Sequence, residues 1–203
     1  MIEWKIISSG SKGNCVIVND VMIDCGVPFK RIKEHLYDIN YLLLTHIHSD
    51  HINSSTLENI RKLFPKITII GNYQIAQLYD IDIIGNSDFK ITLPSFEVTP
   101  FECFHDVITQ GYTWRVDGEN IIYATDTSSL ENAPHLKFDY LFIESNHDEK
   151  KLEMARNKSK YGYNPFTGGK RHLSTQQCKT FYYLNRRSKE SQLIELHKSE
   201  RFY

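Results

Sequence analysis

Residues 41–51 read Tyr41-Leu42-Leu43-Leu44-Thr45-His46-Ile47-His48-Ser49-Asp50-His51, and this stretch decides how the 203-residue chain is interpreted. Its first four residues fit a short buried β-strand. The strand leads directly into an H-x-H-x-D-H cluster, which this composition produces by chance roughly 10⁻³ times per sequence. Folding alone gives no reason to gather three histidines and an aspartate so closely, so we interpret the cluster as a metal site.

The spacing inside the cluster fits two metal ions. Side chains two residues apart at the end of a strand point the same way, so His46 and His48 suit one ion. Asp50 and His51 lie one turn further along the chain and can face a second ion. Neutral imidazoles and a carboxylate favour zinc, with manganese or iron as alternatives.

Further metal ligands are expected where later strands stop, because such positions are rigid and yet accessible. One candidate follows each of three predicted strands: His105 after residues 96–104, Asp126 after 121–124 and His197 after 192–196. Each of them alone would be an ordinary surface residue, and only the strong H-x-H-x-D-H cluster makes them candidates.

The rest of the chain is predicted to alternate short strands with helices. Further strands are predicted at residues 4–8, 15–18, 21–24, 66–70, 112–116 and 140–143, and helices at 55–64, 73–79, about 148–158 and 175–185. Asp117-Gly118 predicts a hairpin turn, and Ser174 with Gln177 predicts a capping box. The two halves of the pattern are similar. They predict an α/β fold in which two sheets pack face to face with helices outside, in a single domain spanning residues 1–203.

The composition is that of a globular protein, with 40% hydrophobic and 24% charged residues. No apolar run approaches the ~20 residues of a membrane span. The first residues lack the pattern of a signal peptide, so we expect a soluble, cytoplasmic protein that does not contact a membrane. The four cysteines are expected to be free, mostly buried thiols: Cys15, Cys25, Cys103 and Cys178.

The charge of the chain is unevenly distributed. Residues 150–203 contain 13 Lys or Arg against 4 Asp or Glu, a net charge of +9, whereas residues 1–149 carry −10. A basic C-terminal quarter suits an anionic partner such as nucleic acid or a nucleotide. Solvated helix faces would explain the same charge, so charge alone leaves both interpretations open.

On these motifs the chain resembles the metallo-β-lactamase superfamily, and within it the RNase Z-like and YycJ/WalJ-like phosphodiesterase branch. The Ser9–Asn14 loop is similar to the glycine-serine loop of YycJ-like proteins, and Ile23-Asp24-Cys25-Gly26 to the first superfamily motif. The H-x-H-x-D-H cluster resembles the second motif, His105 the third and Asp126 the fourth. Residues 142–148 resemble the stretch that carries an acidic residue near the site. The resemblance implies a four-layer αββα sandwich.

Two histidines compete for the last superfamily motif. His172 lies in a segment similar to the G-H-[SL]-[ST] motif at a helix start, although Arg171 replaces the glycine. His197 begins an ending that resembles the H-x-S-x-R-Y ending of RNase Z-like enzymes. On this alignment, His197 is a metal ligand, and His172 contacts a phosphate and donates a proton.

The resemblance implies a pair of divalent metal ions, Zn²⁺ or alternatively Mn²⁺. It assigns three ligands to each ion and one carboxylate bridge: His46, His48 and His105 for the first, Asp50, His51 and His197 for the second, and Asp126 as the bridge. The zinc β-lactamases typically have a cysteine at the bridging position, so hydrolysis of antibiotics is not expected.

Further roles follow from the same resemblance. Asp50 would also orient or deprotonate the attacking water, and His172 would protonate the departing alkoxide. The position of His172 before a capped helix predicts free backbone N–H groups near a phosphate. Glu144 or His147 would orient His172, with an ordinary surface hydrogen bond as the alternative for either. Asp24 would support the loop that carries His46, His48, Asp50 and His51, here called the metal loop, without binding metal itself.

The leading hypothesis is a phosphodiesterase that cleaves DNA or RNA. Its nearest rival is a cyclic nucleotide phosphodiesterase, similar to compact viral enzymes that destroy bacterial immune signals. The basic C-terminal quarter and the YycJ-like motifs favour the first. The small size and the lack of a tRNA-gripping arm favour the second. A thioesterase or lactonase of the glyoxalase II type has the same ligand set but leaves the His172 segment unexplained. Many relatives pair, so a homodimer is compatible with each hypothesis.

Overall fold

The computed structural model describes residues 2–156 and 165–203, and it divides the chain into two units, Met1–Phe89 and Lys90–Tyr203. Each unit contains one mixed sheet of six strands together with helices. Two such sheets with helices are the make-up of the metallo-β-lactamase αββα class, so the predicted fold class is confirmed. That residues 1–203 form a single domain stays a prediction. No helix of the described residues is long and apolar enough to cross a membrane.

The sheet of the first unit contains its strands in chain order: β1 (Trp4–Ser8), β2 (Cys15–Val18), β3 (Val21–Ile23), β4 (Tyr41–Leu43), β5 (Thr68–Gly71) and β6 (Ile83–Ile84). Neighbours from β1 to β3 are antiparallel, and neighbours from β3 to β6 are parallel. Strands β2, β3 and β4 are buried along their whole length, which explains their continuous apolar runs. Strand β6 was not predicted, because two residues are too few to show a periodicity.

The helices of the first unit agree with the sequence in part. Helix α1 (Ser54–Leu63) is capped by the side chain of Asn53 and buries Leu57 and Ile60, whereas Leu63, at the same apolar spacing in the sequence, is 52% exposed. Helix α2 (Tyr73–Ala76) ends three residues earlier than predicted. Two 3₁₀ segments, Phe29–Arg31 and Lys33–Asp38, are missing from the prediction, because 3₁₀ turns have no 3.6-residue apolar repeat.

The sheet of the second unit has the order β12-β11-β10-β9-β8-β7, with strands β7 (Ile91–Thr92), β8 (Glu97–Cys103), β9 (Thr109–Val116), β10 (Glu119–Ala124), β11 (Tyr140–Glu144) and β12 (Gln192–Leu196). Neighbours from β7 to β10 are antiparallel, and β10, β11 and β12 are parallel. The predicted Asp117-Gly118 turn joins β9 to β10. Its two residues have φ angles of 53° and 82°, as a tight hairpin requires.

The described residues of the second unit also form three helices: α3 (Glu149–Glu153), α4 (Pro165–Gly169) and α5 (Thr175–Asn185). The predicted capping box is confirmed, since the side chains of Ser174 and Gln177 each bond to the backbone of the other. Helix α3 is shorter than the predicted helix at 148–158, of which residues 157 and 158 lie outside the described residues. All four cysteines are free and buried, as predicted.

Strand direction explains where the candidate site residues lie within each unit. Strands β3 and β4 are parallel, so the loops that follow them leave the first sheet at the same edge. In the second sheet, β8 and β10 are both antiparallel to β9, and β11 and β12 are parallel to β10. The loops after β8, β10 and β12 and the end of β11 therefore share one edge, the usual place for site residues in such sheets.

Candidate functional site

In the first unit, Asp24 directly follows β3 and supports the loop that carries the histidines. Its φ of 59° lies in the left-handed region, which is uncommon for a residue other than glycine. One carboxylate oxygen accepts the Thr45 N–H at 2.9 Å, and the other lies 2.6 Å from Nδ1 of His51. A carboxylate at Nδ1 keeps the ring proton there, so the lone pair of His51 is on Nε2. Burial raises the pKa of Asp24, although His51 and Thr45 oppose this rise.

The three histidines of the cluster face one another. The ring of His46 lies 4.7 Å from that of His48 and 4.0 Å from that of His51, measured between centroids. Nε2 of His46 is 3.1 Å from Nδ1 of His48. Two nitrogens that bind the same tetrahedral zinc at about 2.0 Å are about 3.3 Å apart. The pair therefore has the spacing of two ligands of one ion. A carboxylate oxygen of Asp50 lies 3.8 Å from Nε2 of His51.

In the second unit, four candidate residues lie at the edge where the strands end. His105 is two residues beyond β8, Asp126 two residues beyond β10 and His197 one residue beyond β12, while Glu144 is the last residue of β11. Asp126 and His197 both have a φ of 53°. Such a conformation costs about 1–3 kcal/mol and is concentrated at functional sites.

Glu144 is the centre of this group and is fully buried. One of its oxygens accepts hydrogen bonds from Nδ1 of His172 at 2.7 Å and from Nδ1 of His197 at 2.9 Å. The other accepts the backbone N–H of Thr127 at 2.9 Å and of Leu173 at 3.3 Å. Burial alone would raise the pKa of Glu144, but the two histidines outweigh burial and hold this pKa below its ordinary value.

His172 is held by two carboxylates, since its Nδ1 also lies 3.2 Å from Asp126. Burial lowers the pKa of His172, but Glu144 and Asp126 outweigh burial and raise this pKa to about 10. The two carboxylates therefore favour the protonated ring of His172 over the neutral one. The same carboxylates raise the pKa of His197 against the effect of its burial. Four side chains of this unit each present a potential ligand atom, and these atoms lie within 4.8 Å of one another: Asp126, Glu144, His172 and His197.

His147, the other partner predicted for His172, makes no hydrogen bond to it in the part of the chain that the structure describes. The backbone of His147 pairs with Ser174 and accepts the Thr175 N–H at 2.8 Å, and its Nδ1 has no hydrogen-bond partner among the described residues. The sequence predicts free backbone N–H groups at the start of α5. This prediction is wrong for Thr175, because its N–H is bonded to the His147 carbonyl oxygen. It is also wrong for Gln177, whose N–H bonds to the Ser174 hydroxyl at 3.0 Å. Glu144 is thus the predicted partner that reaches His172.

Arg171 makes a contact that sequence reasoning missed. Its guanidinium forms an ion pair with Asp106 at 2.5 Å. The pair joins the loop that carries His172 to the loop that carries His105. In the sequence Arg171 was noticed only as a replacement for glycine, and its partner is 65 positions away.

Two asparagines were also missed as neighbours of candidate ligands. Asn146 donates a hydrogen bond from its side-chain amide to the carbonyl oxygen of His197 at 2.9 Å. Asn14 brings its amide nitrogen to 2.8 Å from Nε2 of His51. Both residues lie in stretches whose resemblance to family motifs could have drawn attention to them.

The donors in each unit fit divalent metal ions. They are imidazole nitrogens and carboxylate oxygens, the ligands that zinc and manganese take in proteins. In each unit a fully buried carboxylate lies at Nδ1 of a candidate histidine, Asp24 on His51 and Glu144 on His197. This contact leaves the lone pair on Nε2, as in carboxylate–histidine–metal triads.

Comparisons with known proteins agree with the motifs. The sequence model of the metallo-beta-lactamase superfamily matches residues 10–70. The exodeoxyribonuclease YycJ of Bacillus anthracis is 26% identical over 180 residues, which cover 76% of this chain and 67% of that protein. The chain spans about two thirds of the length of the curated relatives that it matches.

Two solved structures have a similar fold. The metallo-beta-lactamase fold protein YhfI from Bacillus subtilis matches with a TM-score of 0.73 and 16% identity, over 98% of this chain and 87% of that chain. The short form of human tRNase Z matches with a TM-score of 0.70 and 16% identity, over 99% and 94%. The sequence matches confirm the predicted resemblance to the superfamily and to its YycJ/WalJ-like branch, and the solved structures confirm the resemblance in fold.

Proposed function

We propose that this chain, which resembles the metallo-β-lactamase superfamily in sequence and fold, is a metal-dependent phosphodiesterase that cleaves nucleic acid. His172 carries the proposal. It is a half-buried imidazolium that Glu144 holds beside Asp126. A departing alkoxide needs a proton and a departing thiolate does not, so a fixed proton donor suits a phosphodiester better than a thioester.

The proposed metal ligands are those that the family resemblance implies: His46, His48, Asp50, His51, His105, Asp126 and His197. Zn²⁺ is the proposed ion, and Mn²⁺ is the alternative that this donor set also accepts. When bound, divalent ions lower the pKa of coordinated water and neutralise the charge that develops on the phosphoryl oxygens.

The protein's own groups orient the ligands and move the protons. Asp24 and Glu144 keep the Nδ1 protons of His51 and His197 in place, which leaves Nε2 of each ring to face an ion. Glu144 also keeps His172 protonated. Nδ1 of His172 faces Glu144, so His172 donates its proton to the leaving oxygen from Nε2. Asp50 orients or deprotonates the attacking water.

Helix α5 favours a strand of nucleic acid over a small ring. It begins three residues after His172, and it carries Lys179 and Tyr183 four residues apart on one face, with Arg186 directly after its last residue. We name these three residues the α5 stripe. Tyr183 is 64% exposed, and the Arg186 guanidinium lies 4.9 Å from the centre of its ring. Exposed aromatic rings beside cations bind single strands by stacking and by phosphate contacts.

The relatives favour DNA as the substrate. Curated proteins similar to this chain are named exodeoxyribonucleases in Bacillus anthracis and in Streptococcus pneumoniae. A homodimer and a cytoplasmic location stay predictions.

A substrate panel tests the proposed function. The purified chain, loaded with Zn²⁺ or Mn²⁺, is incubated with single-stranded DNA, duplex DNA, RNA, 3′,5′-cyclic nucleotides and S-lactoylglutathione. We expect the chain to cleave the nucleic acids of this panel. Cleavage of the cyclic nucleotides alone would establish the small-ring alternative, and thioester cleavage without phosphodiester cleavage would refute the proposal.

The α5 stripe gives a prediction that concerns polymers only. Replacing Tyr183 by alanine removes one stacking platform, so we expect about tenfold weaker binding of single-stranded DNA. Replacing Lys179 and Arg186 together by glutamate should also flatten the dependence of log K on log salt, by about 0.7 for each lost phosphate contact. Fluorescence anisotropy with a labelled oligonucleotide measures both effects. Hydrolysis of bis(p-nitrophenyl) phosphate should stay unchanged in all these variants.

A matched charge reversal elsewhere controls for net charge. Lys62 and Lys66 are exposed and lie in the first unit, away from the stripe in the sequence. The double substitution K62E/K66E changes the net charge by the same amount. If it weakened binding of DNA as much as K179E/R186E, the stripe would have no specific role.

A further inference from the structure

The Ser9–Asn14 loop takes no part in the proposed mechanism, and its last residue is a buried asparagine. Asn14 is 1% exposed. Its side-chain oxygen accepts the Gly10 N–H at 2.7 Å, which closes the loop on itself. Its backbone N–H donates to the carbonyl oxygen of Asp50 at 2.6 Å, and its own carbonyl oxygen accepts the Gly26 N–H at 3.0 Å. The loop is thus fastened by its backbone to the metal loop.

Two glycines allow this close approach. A Cβ on Gly26 would lie 1.8 Å from the carbonyl oxygen of Asp50, and a Cβ on Gly13 would lie 2.5 Å from that of Gly26. Gly13 also has a φ of +130°, which other residues rarely adopt. The backbone at Gly13 therefore packs directly on that at Gly26, and Gly26 packs on Asp50, with no side chain between them. This close packing lets the Asn14 amide reach the metal loop.

The amide nitrogen of Asn14 points at both proposed ligands of this loop. It lies 2.8 Å from Nε2 of His51, 3.2 Å from the Asp50 carbonyl oxygen and 3.4 Å from an Asp50 carboxylate oxygen. Nδ1 of His51 faces Asp24 at 2.6 Å, so the ring proton is on Nδ1 and Nε2 is an acceptor. Asn14 is therefore the donor in its contact with His51.

We propose that Asn14 is a positioning residue that takes the place of a metal ion at His51 until the ion binds. The proposal rests on the assignment of His51 as a metal ligand under the proposed function. Nε2 has one lone pair and cannot accept from Asn14 and bind an ion at the same time. Before the ion binds, the amide holds the ring of His51, whose tautomer Asp24 fixes, in the orientation that the ion needs. Binding then breaks this one hydrogen bond, which weakens the affinity for that ion.

Metal titration of the whole chain tests this competition. The chain is stripped of metal, and Zn²⁺ is titrated against a chromogenic chelator. In the substitution Asn14→Ala the bond that Zn²⁺ must break is already absent. We therefore expect one of the two ions to bind about tenfold more tightly, with two ions per chain as before. Weaker or unchanged binding of both ions would overturn the proposal.

A second variant and a ring measurement cover the case in which Asn14→Ala does not fold. Asn14→Asp keeps the oxygen that accepts the Gly10 N–H but replaces the amide donor with an acceptor. It should also bind one ion more tightly than the wild type does, since it adds a carboxylate beside Asp50. The ¹⁵N signal of His51 Nε2 should be that of a hydrogen-bonded acceptor in the metal-free wild type and should change in either variant, because Asn14→Ala removes the donor and Asn14→Asp brings a carboxylate that draws a proton onto Nε2. A signal that does not change would overturn the proposal.

A control variant and a parallel assay separate this proposal from the proposed function. Asn53→Ala removes another asparagine near the metal loop, one whose side chain accepts the Thr56 N–H at 3.0 Å, and it should leave metal affinity unchanged. If the wild type binds no divalent ion, the proposed function fails. If the wild type binds two ions and cleaves DNA but the Asn14 variants bind metal as it does, only the role of Asn14 fails.

Discussion

Hydrolysis of bis(p-nitrophenyl) phosphate should fall about 10³-fold when Asp50 is replaced by alanine, because several kcal/mol of transition-state stabilisation go with the ion that it is proposed to hold. The fold should survive. The Asp50 side chain is 29% exposed, and its carbonyl oxygen, which anchors Asn14, is kept in the variant. Elemental analysis should show one ion per chain instead of two. The free energy of unfolding of the metal-free chain should change by about 0.5 kcal/mol or less.

Asp80→Ala is the matched control for Asp50→Ala. It removes the same charge from the same unit, at a side chain that is 84% exposed. It should hydrolyse the substrate and bind metal as the wild type does. An Asp50→Ala variant that kept two ions and full activity would show that Asp50 is neither a ligand nor a participant in the reaction.

The features that could be predicted from the sequence are local ones. The apolar run before His46 predicts a buried strand, which is confirmed as β4. This strand ends at Leu43 rather than Leu44, so the approach of His46 to His48 takes place in the loop after the strand. Asp126 and His197 are predicted as candidates because each follows a recognisable strand. The Ser174 capping box was found because it is complete within four residues.

Contacts that depend on strand pairing could not be predicted. Glu144 reaches His197 because β11 and β12 are parallel with Glu144 paired to Leu196, so that His197 comes next to it. No local pattern fixes that register, and for this reason the sequence predicts either Glu144 or His147 as the partner of His172, with an ordinary surface hydrogen bond as the alternative for each. They are only three residues apart, but Glu144 ends a strand while His147 pairs by its backbone with Ser174.

The role of Asn14 shows a different limit. An asparagine after glycine and serine predicts a turn, and it does make one by accepting the Gly10 N–H. Its second contact, with His51, needs the close stacking that Gly13 and Gly26 allow between distant segments. A sequence shows that a glycine is present but not which backbone approaches it.

Replacing Glu144 by glutamine should be the most damaging single substitution in the second unit. The carboxylate accepts from two imidazoles and two backbone N–H groups and has no exposed surface. One carboxylate oxygen accepts from the two imidazoles and the other from the two backbone N–H groups. Whichever way a glutamine amide is turned, its NH₂ group faces one of these two pairs, so donor meets donor. Breaking a buried ionic cluster costs about 3–5 kcal/mol. The melting temperature should therefore fall by about 10 °C. Phosphodiester hydrolysis should fall by about 10³-fold, because His172 is no longer held as an imidazolium.

Glu195→Gln separates the loss of Glu144 from the loss of any carboxylate in this region. Glu195 lies on the neighbouring strand β12 and accepts from Ser145 and Tyr203, at the margin of the protein rather than in its interior. Its replacement should lower the melting temperature by only about 2–4 °C, since its bonds are partly replaced by water. Activity is measured well below both melting temperatures, so that unfolding does not contribute. If Glu144→Gln matched Glu195→Gln in stability and in rate, Glu144 would be neither the anchor of this cluster nor the group that keeps His172 charged.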